Sequence, residues 1–496
     1  MLNIKSWSEK YEEVTNMIKP EVEELKKLNT GEFTVAPVSC EILSDFITPV
    51  EALRILKNVS THTYMLESAE ADETWGRYTF LGFEPKMEIT CINGKLKAGD
   101  ITIETNDPTA YLRQILKEYK SPRFDYLPPF TGGLVGYFSY DYIKYAEPVL
   151  RKDVQDENEF RDVDLMLFDK VIAFDNVRQK IILIVNIRLS DIDSEYNRAV
   201  MELGKLKTLL ETGSKAKDEK GKLLGEVKPL FNKEEYCEMV EKAKKHIFEG
   251  DIFQIVLSNR LSAPFEGSLL ETYRLLRTIN PSPYMFYFSG TDVEVAGASP
   301  ETLVKLEDGV LHTFPLAGTR PRGKDEEEDK ALMTELLADE KECAEHNMLV
   351  DLGRNDLGKI SRFGTVEVER YMDILKFSHV MHIGSTVRGV IREDKDALDA
   401  IEAVLPAGTL SGAPKIRACQ LIDELEGNKR GIYGGAIGYI DFTGNMDTCI
   451  AIRLAYKKNG RVFIRSGAGI VADSVPEKEY QECINKAKAV MKALED

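Results

Sequence analysis

Residues 465–491 constrain the fold more than any other stretch, because they predict a strand, a glycine turn and an amphipathic helix in direct succession. Pro476 suits the first turn of a helix. At about 100° per residue, Glu479, Glu482 and Lys486 then fall on one narrow face. That face borders an apolar stripe made of Tyr480, Cys483, Ile484, Ala487, Val490 and Leu494. We therefore expect the two carboxylates to lie at the edge of the protein interior.

A second acidic stretch, residues 336–352, has the same character. On a helix, Glu342 and Glu345 share a side with apolar residues such as Leu349. A carboxylate in an apolar stripe is costly unless something pairs with it. Two such helices facing each other would form a four-carboxylate cluster that a hard divalent cation could neutralise. The alternative is that these are solvated charges at the edges of two stripes.

The overall charge narrows the range of partners. The chain has 496 residues and a formal net charge of −18, which argues against nucleic acid or an anionic membrane surface. It has no apolar run of about 20 residues and no hydrophobic signal core at its start, so we expect a cytoplasmic protein. An anionic small molecule is compatible with this charge, since a metal or a few arginines can reverse the sign inside one pocket.

The chain divides by pattern into two long regions. Residues 1–210 are rich in strand-like runs, and residues 211–229 are polar, lysine-rich and glycine-containing, as in an exposed connector. Residues 230–496 alternate helices and strands. We expect a sheet-rich N-terminal region and a catalytic region after the connector.

Two polar residues stand out in apolar surroundings of the second region. Gln254 interrupts an apolar strand, so it is either a structural hydrogen bonder or a group that aims a small polar nucleophile. Glu301 lies in a turn before a strand, where it either caps backbone amides or serves as a general acid with a burial-raised pKa. The residues alone leave both choices open.

Three further stretches suit an anionic ligand. Residues 405–426 predict a loop that leads into a helix, where free amides and the hydroxyl of Thr409 favour an anion or an ordinary cap. Arg453 lies in an apolar strand, and a buried arginine requires a carboxylate partner. His382 lies on a probable strand, where a structural histidine is the simplest interpretation.

Five segments in order resemble the chorismate-utilising enzymes: GASPE, PLAGTRPRG, EHNMLVDLGRND, LPAGTLSGAPK and the final E-x-x-E-x-x-x-K. The resemblance covers most of the chain and is strongest from about residue 233 onward. It implies an α+β fold in which large antiparallel sheets pack orthogonally with helices outside. It also implies that chorismate binds with Mg²⁺ in a cleft between them.

The resemblance assigns roles residue by residue. Glu345 and Glu482 resemble the metal ligands, with Glu342 and Glu479 holding metal-bound water. Glu301 resembles the general acid, His382 is the candidate for the elimination step, and Lys486 orients and balances charge. The implied substrate contacts are Gly408, Thr409, Tyr433, Arg453, Gly467, Ala468 and Gly469.

Two positions indicate the branch of the family. Members that add water carry a lysine where this chain has Gln254, and members that form aminodeoxychorismate usually carry a lysine where it has Ala317. The pattern implies conversion of chorismate and ammonia to anthranilate and pyruvate, the first committed step of tryptophan biosynthesis. The alternatives are aminodeoxychorismate formation and a non-catalytic amino-acid-binding module. A calcium-stabilised structural protein is disfavoured, since no D-x-D-x-D-G loop is present.

The resemblance also implies two partners. None of the seven cysteines lies in a Gly-x-Cys-x-Gly turn, so a separate glutamine amidotransferase subunit is expected, in a hetero-oligomer of two plus two subunits. Tryptophan is expected as a feedback inhibitor. Its implied site comprises Leu66, Glu67, Ser68, Asn280, Pro281, Tyr284, Met285 and Cys449.

Overall fold

Two large antiparallel sheets form the centre of the molecule. The computed structural model describes residues 18–28, 31–68, 76–150, 156–217, 219–376 and 380–495. Within these residues one sheet has 14 strands and the other has 12. The predicted α+β class is confirmed.

The larger sheet has strands from both sides of the predicted connector. In spatial order they are Ile18–Lys19, Val35–Leu43, Lys180–Arg188, Lys170–Asp175, Tyr78–Phe83, Thr63–Glu67, Tyr284–Ser289, Val293–Ser299, Leu454–Lys458, Arg461–Ile470, Gln254–Glu266 and Lys222–Leu223, with Lys228–Pro229 and Gly412–Ala413 also paired to Gln254–Glu266. Alternation of apolar residues buries one face of these strands against helices.

The smaller sheet also contains strands from both sides of the predicted connector. Its order is Leu316–Pro321, Val380–Val390, Val310–Thr313, Thr302–Glu307, Met446–Ile450, Ala436–Asp441, Gly133–Phe138, Val163–Phe168, Met87–Ile92, Lys95–Ala98 and Ile101–Glu104, with Glu367–Lys376 paired to Val380–Val390. Both sheets thus combine strands from 1–210 and 230–496. The functional division at 211–229 stays a prediction.

The helices pack around these sheets. The structure describes Val22–Leu25, Pro49–Val59, Pro108–Lys117, Ile143–Ala146, Ile192–Thr212, Lys233–Phe248, Leu270–Ile279, Glu326–Ala338, Glu340–Gly358, Ala397–Val404, Lys415–Glu426 and Pro476–Glu495. No helix among the described residues is long and apolar enough to cross a membrane. We call Glu340–Gly358 the middle helix and Pro476–Glu495 the C-terminal helix.

Local chemistry fixes where these two helices begin. The Asp339 carboxylate accepts from the backbone amides of Lys341 and Glu342, which caps the middle helix. The C-terminal helix begins at Pro476, as predicted, just after the strand Arg461–Ile470. Its Cys483 packs against that strand and donates to the Ser466 carbonyl oxygen at 2.9 Å. The cap fixes where the middle helix begins, and the hydrogen bond fixes the C-terminal helix against its strand.

Candidate active site

At two adjacent points where the chain passes from one sheet to the other, the connection carries a predicted site residue. Glu301 lies between Val293–Ser299 and Thr302–Glu307, and Arg453 lies between Met446–Ile450 and Leu454–Lys458. The Ile450 amide donates to the Glu301 carbonyl oxygen at 2.9 Å. The sheet connections therefore bring together two residues that are 152 positions apart.

The carboxyl group of Glu301 is held in its neutral form. Burial raises the pKa of Glu301 to about 8, although a hydrogen bond from Thr409 and the charges of Arg453 and Lys486 act in the opposite direction. The Thr409 hydroxyl donates to Glu301 Oε1 at 3.2 Å. A carboxylic acid that keeps its proton at neutral pH can donate it to a leaving group.

Arg453 takes a backbone conformation that few arginines adopt. Its φ is +52°, in the left-handed region. Burial lowers the pKa of Arg453, and the Glu301 carboxyl acts in the opposite direction. A strained backbone at a buried cation indicates that the tertiary fold holds the guanidinium in place.

The predicted anion loop adjoins this pair. Gly408 and Thr409 begin a short turn of 3₁₀ helix, Gly408–Leu410, and share a small cavity of about 30 Å³ with Glu301 and with Leu352 of the middle helix. A side chain at Gly408 would meet Leu352 at 2.5 Å. The loop therefore fits closely against the middle helix only because residue 408 is glycine.

A buried ion network supports this loop from behind. Arg430 donates to the carbonyl oxygens of Leu410 at 2.6 Å and Val256 at 2.7 Å, and it pairs with Glu426 at 2.6 Å. Arg465 pairs with the other oxygen of Glu426 at 2.6 Å. Sequence reasoning missed these residues, because Glu426 is the last residue of the helix Lys415–Glu426 and Arg430 lies beyond its end, where helical spacing does not apply.

Two glycines of the strand Arg461–Ile470 leave room for polar groups. A Cβ at Gly467 would lie 2.9 Å from the Tyr433 hydroxyl, and a Cβ at Gly469 would lie 2.9 Å from Gln254 Nε2. Ala468 between them is buried. The structure thus brings Gly467 and Gly469 together with Tyr433 and Gln254 on one face of the strand, while the Ala468 side chain packs in the core on the other face.

The Gln254 side chain has unused hydrogen-bonding capacity. It is 4% exposed, and its Oε1 has no hydrogen-bond partner among the described residues. A buried amide oxygen without a partner is costly, so this atom is suited to accept a hydrogen bond from a small ligand.

His382 is oriented by the neighbouring strand, Leu316–Pro321. Its Nδ1 lies 2.8 Å from the Gly318 carbonyl oxygen, so Nδ1 carries the ring proton. Burial lowers the pKa of His382, and Arg453 lowers it further. His382 is therefore a neutral imidazole close to the crossover residues.

The carboxylates of the middle helix and of the C-terminal helix are close enough for their charges to interact. Burial raises the pKa of Glu345, and the charges of Glu342 and of Glu482 raise it further. Burial and Glu482 also raise the pKa of Glu479. Repulsion between like charges in a partly buried region is a stable arrangement only when a cation compensates it.

The four carboxylates do not converge to ligand distance by themselves. Glu482 pairs with Lys486 at 2.7 Å, and Glu342 lies 3.8 Å from the Arg320 guanidinium. Among the described residues, one group of three possible metal ligands has all its ligand atoms within 4.8 Å of one another. It lies elsewhere, at His246, Glu249 and Asp251. The four carboxylates nevertheless offer the oxygen ligands that a hard divalent cation prefers.

Lys486 connects the two ends of the cleft. Its Nζ donates to the Gly467 carbonyl oxygen at 3.1 Å, and its charge acts on both Glu301 and Glu345. The lysine therefore lies between the glycine strand, the crossover acid and the middle helix, as its predicted orienting role requires.

The predicted inhibitor residues line a separate pocket of about 350 Å³. Leu66, Glu67, Ser68, Tyr284, Met285 and Cys449 all contribute to it. Asn280 and Pro281 are not among its lining residues, and Asn280 instead follows the end of the helix Leu270–Ile279. Sequence reasoning missed the contributions of Tyr439 and Asp447.

This pocket is linked to Glu301 through one residue, Thr302. The Tyr284 hydroxyl lies 2.9 Å from Asp447 Oδ1 and 2.8 Å from Thr302 Oγ1. Thr302 directly follows Glu301. A ligand that moves Tyr284 would thus act on the strand that carries Glu301.

Comparison with known proteins agrees with this geometry. The chain matches the chorismate binding enzyme family over residues 61–492. It is 44% identical to anthranilate synthase component 1 of Acetivibrio thermocellus, over 97% of this chain and 99% of that protein. It is 46% identical to anthranilate synthase component 1 of Aquifex aeolicus (strain VF5), over 96% and 97% of the two chains.

Solved structures give the same result. Anthranilate synthase component I from Streptococcus pneumoniae TIGR4 superposes with a TM-score of 0.74 at 38% identity, covering 90% of this chain and 98% of that chain. MenF, the menaquinone-specific isochorismate synthase from Escherichia coli, has a TM-score of 0.68 at 19% identity, with 96% and 99% coverage, and supports the fold alone. The family resemblance is confirmed: the chain belongs to the chorismate binding enzymes.

Proposed function

We propose that this chain is the large, chorismate-binding component of an anthranilate synthase. It converts chorismate and ammonia to anthranilate and pyruvate. The observation that carries the proposal is Glu301, an acid held neutral at a sheet crossover beside Thr409, Arg453 and Lys486.

The first step is an addition with loss of water. Ammonia forms a bond to C2 of the ring, the ring double bonds shift, and the C4–O bond breaks. Glu301 gives its proton to the departing hydroxyl, which leaves as water. The unpaired Gln254 oxygen is suited to accept a hydrogen bond from the incoming ammonia.

The second step is an elimination that makes the ring aromatic. A base removes the proton from C2, the C3–O bond breaks, and the side chain leaves as pyruvate. His382 is the candidate base, because its Nδ1 proton is used on Gly318 and its pKa is lowered. Lys486 balances the charge of the substrate, and Arg453 and Tyr433 hold its enolpyruvyl carboxylate.

Glu345 and Glu482 would hold Mg²⁺, with Glu342 and Glu479 next to its water ligands. The cation would anchor the ring carboxylate and withdraw electron density from the ring. The raised pKa values of Glu345 and Glu479 support this role, because burial and neighbouring carboxylates disfavour their charged forms more than Lys341 and Lys486 favour them.

Ammonia requires a supplier. We propose a separate glutamine amidotransferase subunit, in an assembly of two plus two subunits in the cytoplasm, because none of the seven cysteines has the surroundings of a glutaminase nucleophile. Glutamine should replace ammonium only when that subunit is present.

Tryptophan is the proposed inhibitor, bound in the pocket that contains Ser68 and Met285. The hydrogen bonds from Tyr284 to Asp447 and Thr302 support the coupling, because they join the pocket to the strand that follows Glu301. The Ser68→Arg variant should lose tryptophan sensitivity and keep its basal turnover. A variant as sensitive as the parent would remove the inhibitor site from the proposal.

The reaction is tested by anthranilate fluorescence. The purified chain is mixed with chorismate, Mg²⁺ and concentrated ammonium at mildly alkaline pH, with and without EDTA. A signal that EDTA abolishes supports the proposal. Consumption of chorismate without fluorescence would instead indicate an aminodeoxychorismate or isochorismate product, and no consumption would indicate a binding module.

A further inference from the structure

His346 is buried in the middle helix directly after Glu345. Of the first nine residues of this fully described helix, it is the one whose side chain is fully buried; the next are Leu349 and Val350. The half of the helix that carries Glu342 and Glu345 therefore has a single fully buried side chain, and that side chain is polar.

This side chain makes a hydrogen bond to the smaller sheet. His346 Nε2 lies 2.6 Å from Ser385 Oγ, and this oxygen also accepts from the Met372 amide at 3.0 Å. His346 Nδ1 is buried and has no hydrogen-bond partner in the part of the chain that the structure describes. Within that part, the imidazole makes its hydrogen bonds through Nε2 alone.

The sheet is irregular at the point of contact. Met372 has φ +58°, and the pairing of Glu367–Lys376 with its neighbour shifts register between Arg370 and Asp373. The adjacent Tyr371 hydroxyl donates to Asn347 Oδ1 at 2.5 Å. Bulges of this kind often redirect side chains next to functional sites. Two successive residues of the bulge thus act on two successive residues of the helix.

We propose that the hydrogen bond between His346 and Ser385 is a positioning contact that sets the rotation of the middle helix about its axis. It thereby sets the direction in which Glu345 presents its carboxylate to the divalent cation. The inference rests on the metal site of the proposed function. A rotation of about 20° would move the end of a side chain by about 2 Å, because side chains reach roughly 5–6 Å from a helix axis. Metal ligands tolerate only about 0.2 Å.

The test measures metal binding directly. Binding of Mn²⁺ to the full chain is followed by electron paramagnetic resonance, with chorismate present and ammonia absent so that no turnover occurs. His346→Leu and Ser385→Ala should each weaken Mn²⁺ binding by about 10- to 100-fold, the usual cost of losing a contact that orients a ligand. His346→Gln, whose amide reaches the position of Nε2, should restore most of the affinity.

Two controls separate positioning from general stability and from the metal site itself. Val350→Ala removes buried volume from the same helix without a polar contact, so it should lower the thermal unfolding temperature and leave Mn²⁺ affinity unchanged. If His346→Leu and Ser385→Ala behave like Val350→Ala, the positioning role is wrong. If Glu345→Gln binds Mn²⁺ as the parent does, or the parent binds none, the metal site of the proposed function fails as well.

The coupling of the two residues gives a second measurement. The double variant His346→Leu with Ser385→Ala should bind Mn²⁺ no more weakly than the worse single variant, because both remove the same contact. Additive losses would show that the two residues act separately and would overturn the inference.

Discussion

The two ends of the cleft hold their carboxyl groups in opposite ways. At the crossover end, Glu301 is enclosed, receives a hydrogen bond from Thr409 and keeps its proton up to a pKa of about 8. At the helix end, Glu482 is half exposed at 49% and pairs with Lys486, while Glu345 feels the charge of two other carboxylates.

The difference shows that the burial and the number of carboxylates decide whether a site can donate a proton or bind a metal. One isolated carboxyl in a low-dielectric site becomes a neutral acid, because desolvation disfavours its charge. Several carboxylates at a more exposed boundary offer the oxygen ligands that a divalent cation prefers. The same side chain thus serves as a proton donor at one end and as a candidate metal ligand at the other.

The largest test of this contrast is at the crossover end. Glu301→Gln keeps the shape and the contact with Thr409 but has no acidic proton. We expect kcat to fall by about 1,000-fold with little change in the KM for chorismate, as for loss of a general acid. Steady-state anthranilate fluorescence measures both constants; a KM effect alone would make Glu301 a binding group.

The pH profile sharpens the same point. The Glu301 carboxyl has a pKa of about 8 and acts as an acid only when it is protonated. At a fixed concentration of free ammonia, kcat/KM should therefore fall as the pH rises through about 8. Glu301→Gln should lose this alkaline decline. A decline of equal size in the variant would assign it to another group.

The helix end should respond to metal. Glu345→Gln and Glu482→Gln should reduce Mg²⁺-dependent turnover by about 100-fold or more, and part of the loss should be recovered at high Mg²⁺. Glu340→Gln and Glu477→Gln, exposed on the same two helices, are the matched controls and should behave like the parent. Equal effects at exposed and cleft positions would contradict the contrast.

Arg453 tests how substrate is held between the two ends. Because its φ is +52°, Arg453→Gly removes the guanidinium without backbone strain. We expect the KM for chorismate to rise about 10- to 100-fold, as for loss of a charged hydrogen bond. Asn459→Gly, at φ +50° in an exposed turn, is the control for adding a glycine and should leave the KM unchanged.

The smallest expected effect concerns the nucleophile. A methyl group at Gly469 would meet only the end of the Gln254 side chain, whereas one at Gly467 would also meet the Leu257 carbonyl oxygen at 2.7 Å. Gly469→Ala should therefore raise the KM for ammonia a few-fold and leave thermal stability intact. Gly467→Ala should lower both stability and chorismate affinity, and the reverse order would contradict the assignment of the two glycines.

Pattern reasoning predicted the local structure at the helix end well. The stripe of Cys483 and Ala487 fixed the orientation of the C-terminal helix, and the placement of Glu479 and Glu482 at its edge followed from helical periodicity. The pair of Glu482 with Lys486 follows from the same helical spacing. The contact of Arg320 with Glu342 could not be predicted, because it depends on the distance between two separate elements.

The crossover end was less accessible to local reasoning. For the turn at Glu301 the residues alone favoured a cap over a general acid, and only burial beside Thr409 and Arg453 favours the acid. His346 was missed because histidine is polar, although its spacing from Leu349 and Val350 places it on the buried face of the helix. Asn280 and Pro281 were assigned to the inhibitor site from the family resemblance, yet neither is among the residues that line the pocket.

The sequence by itself determined which residues could do chemistry and the face of each acidic helix, because these follow from residue type and local periodicity. The α+β class was implied by the resemblance of five segments to a known family. Only the tertiary structure decided which groups are neutral, which are charged and which meet. The physical reason is that a pKa depends on desolvation and on charges from distant segments, and the two sheet crossovers bring those segments together only in the folded chain.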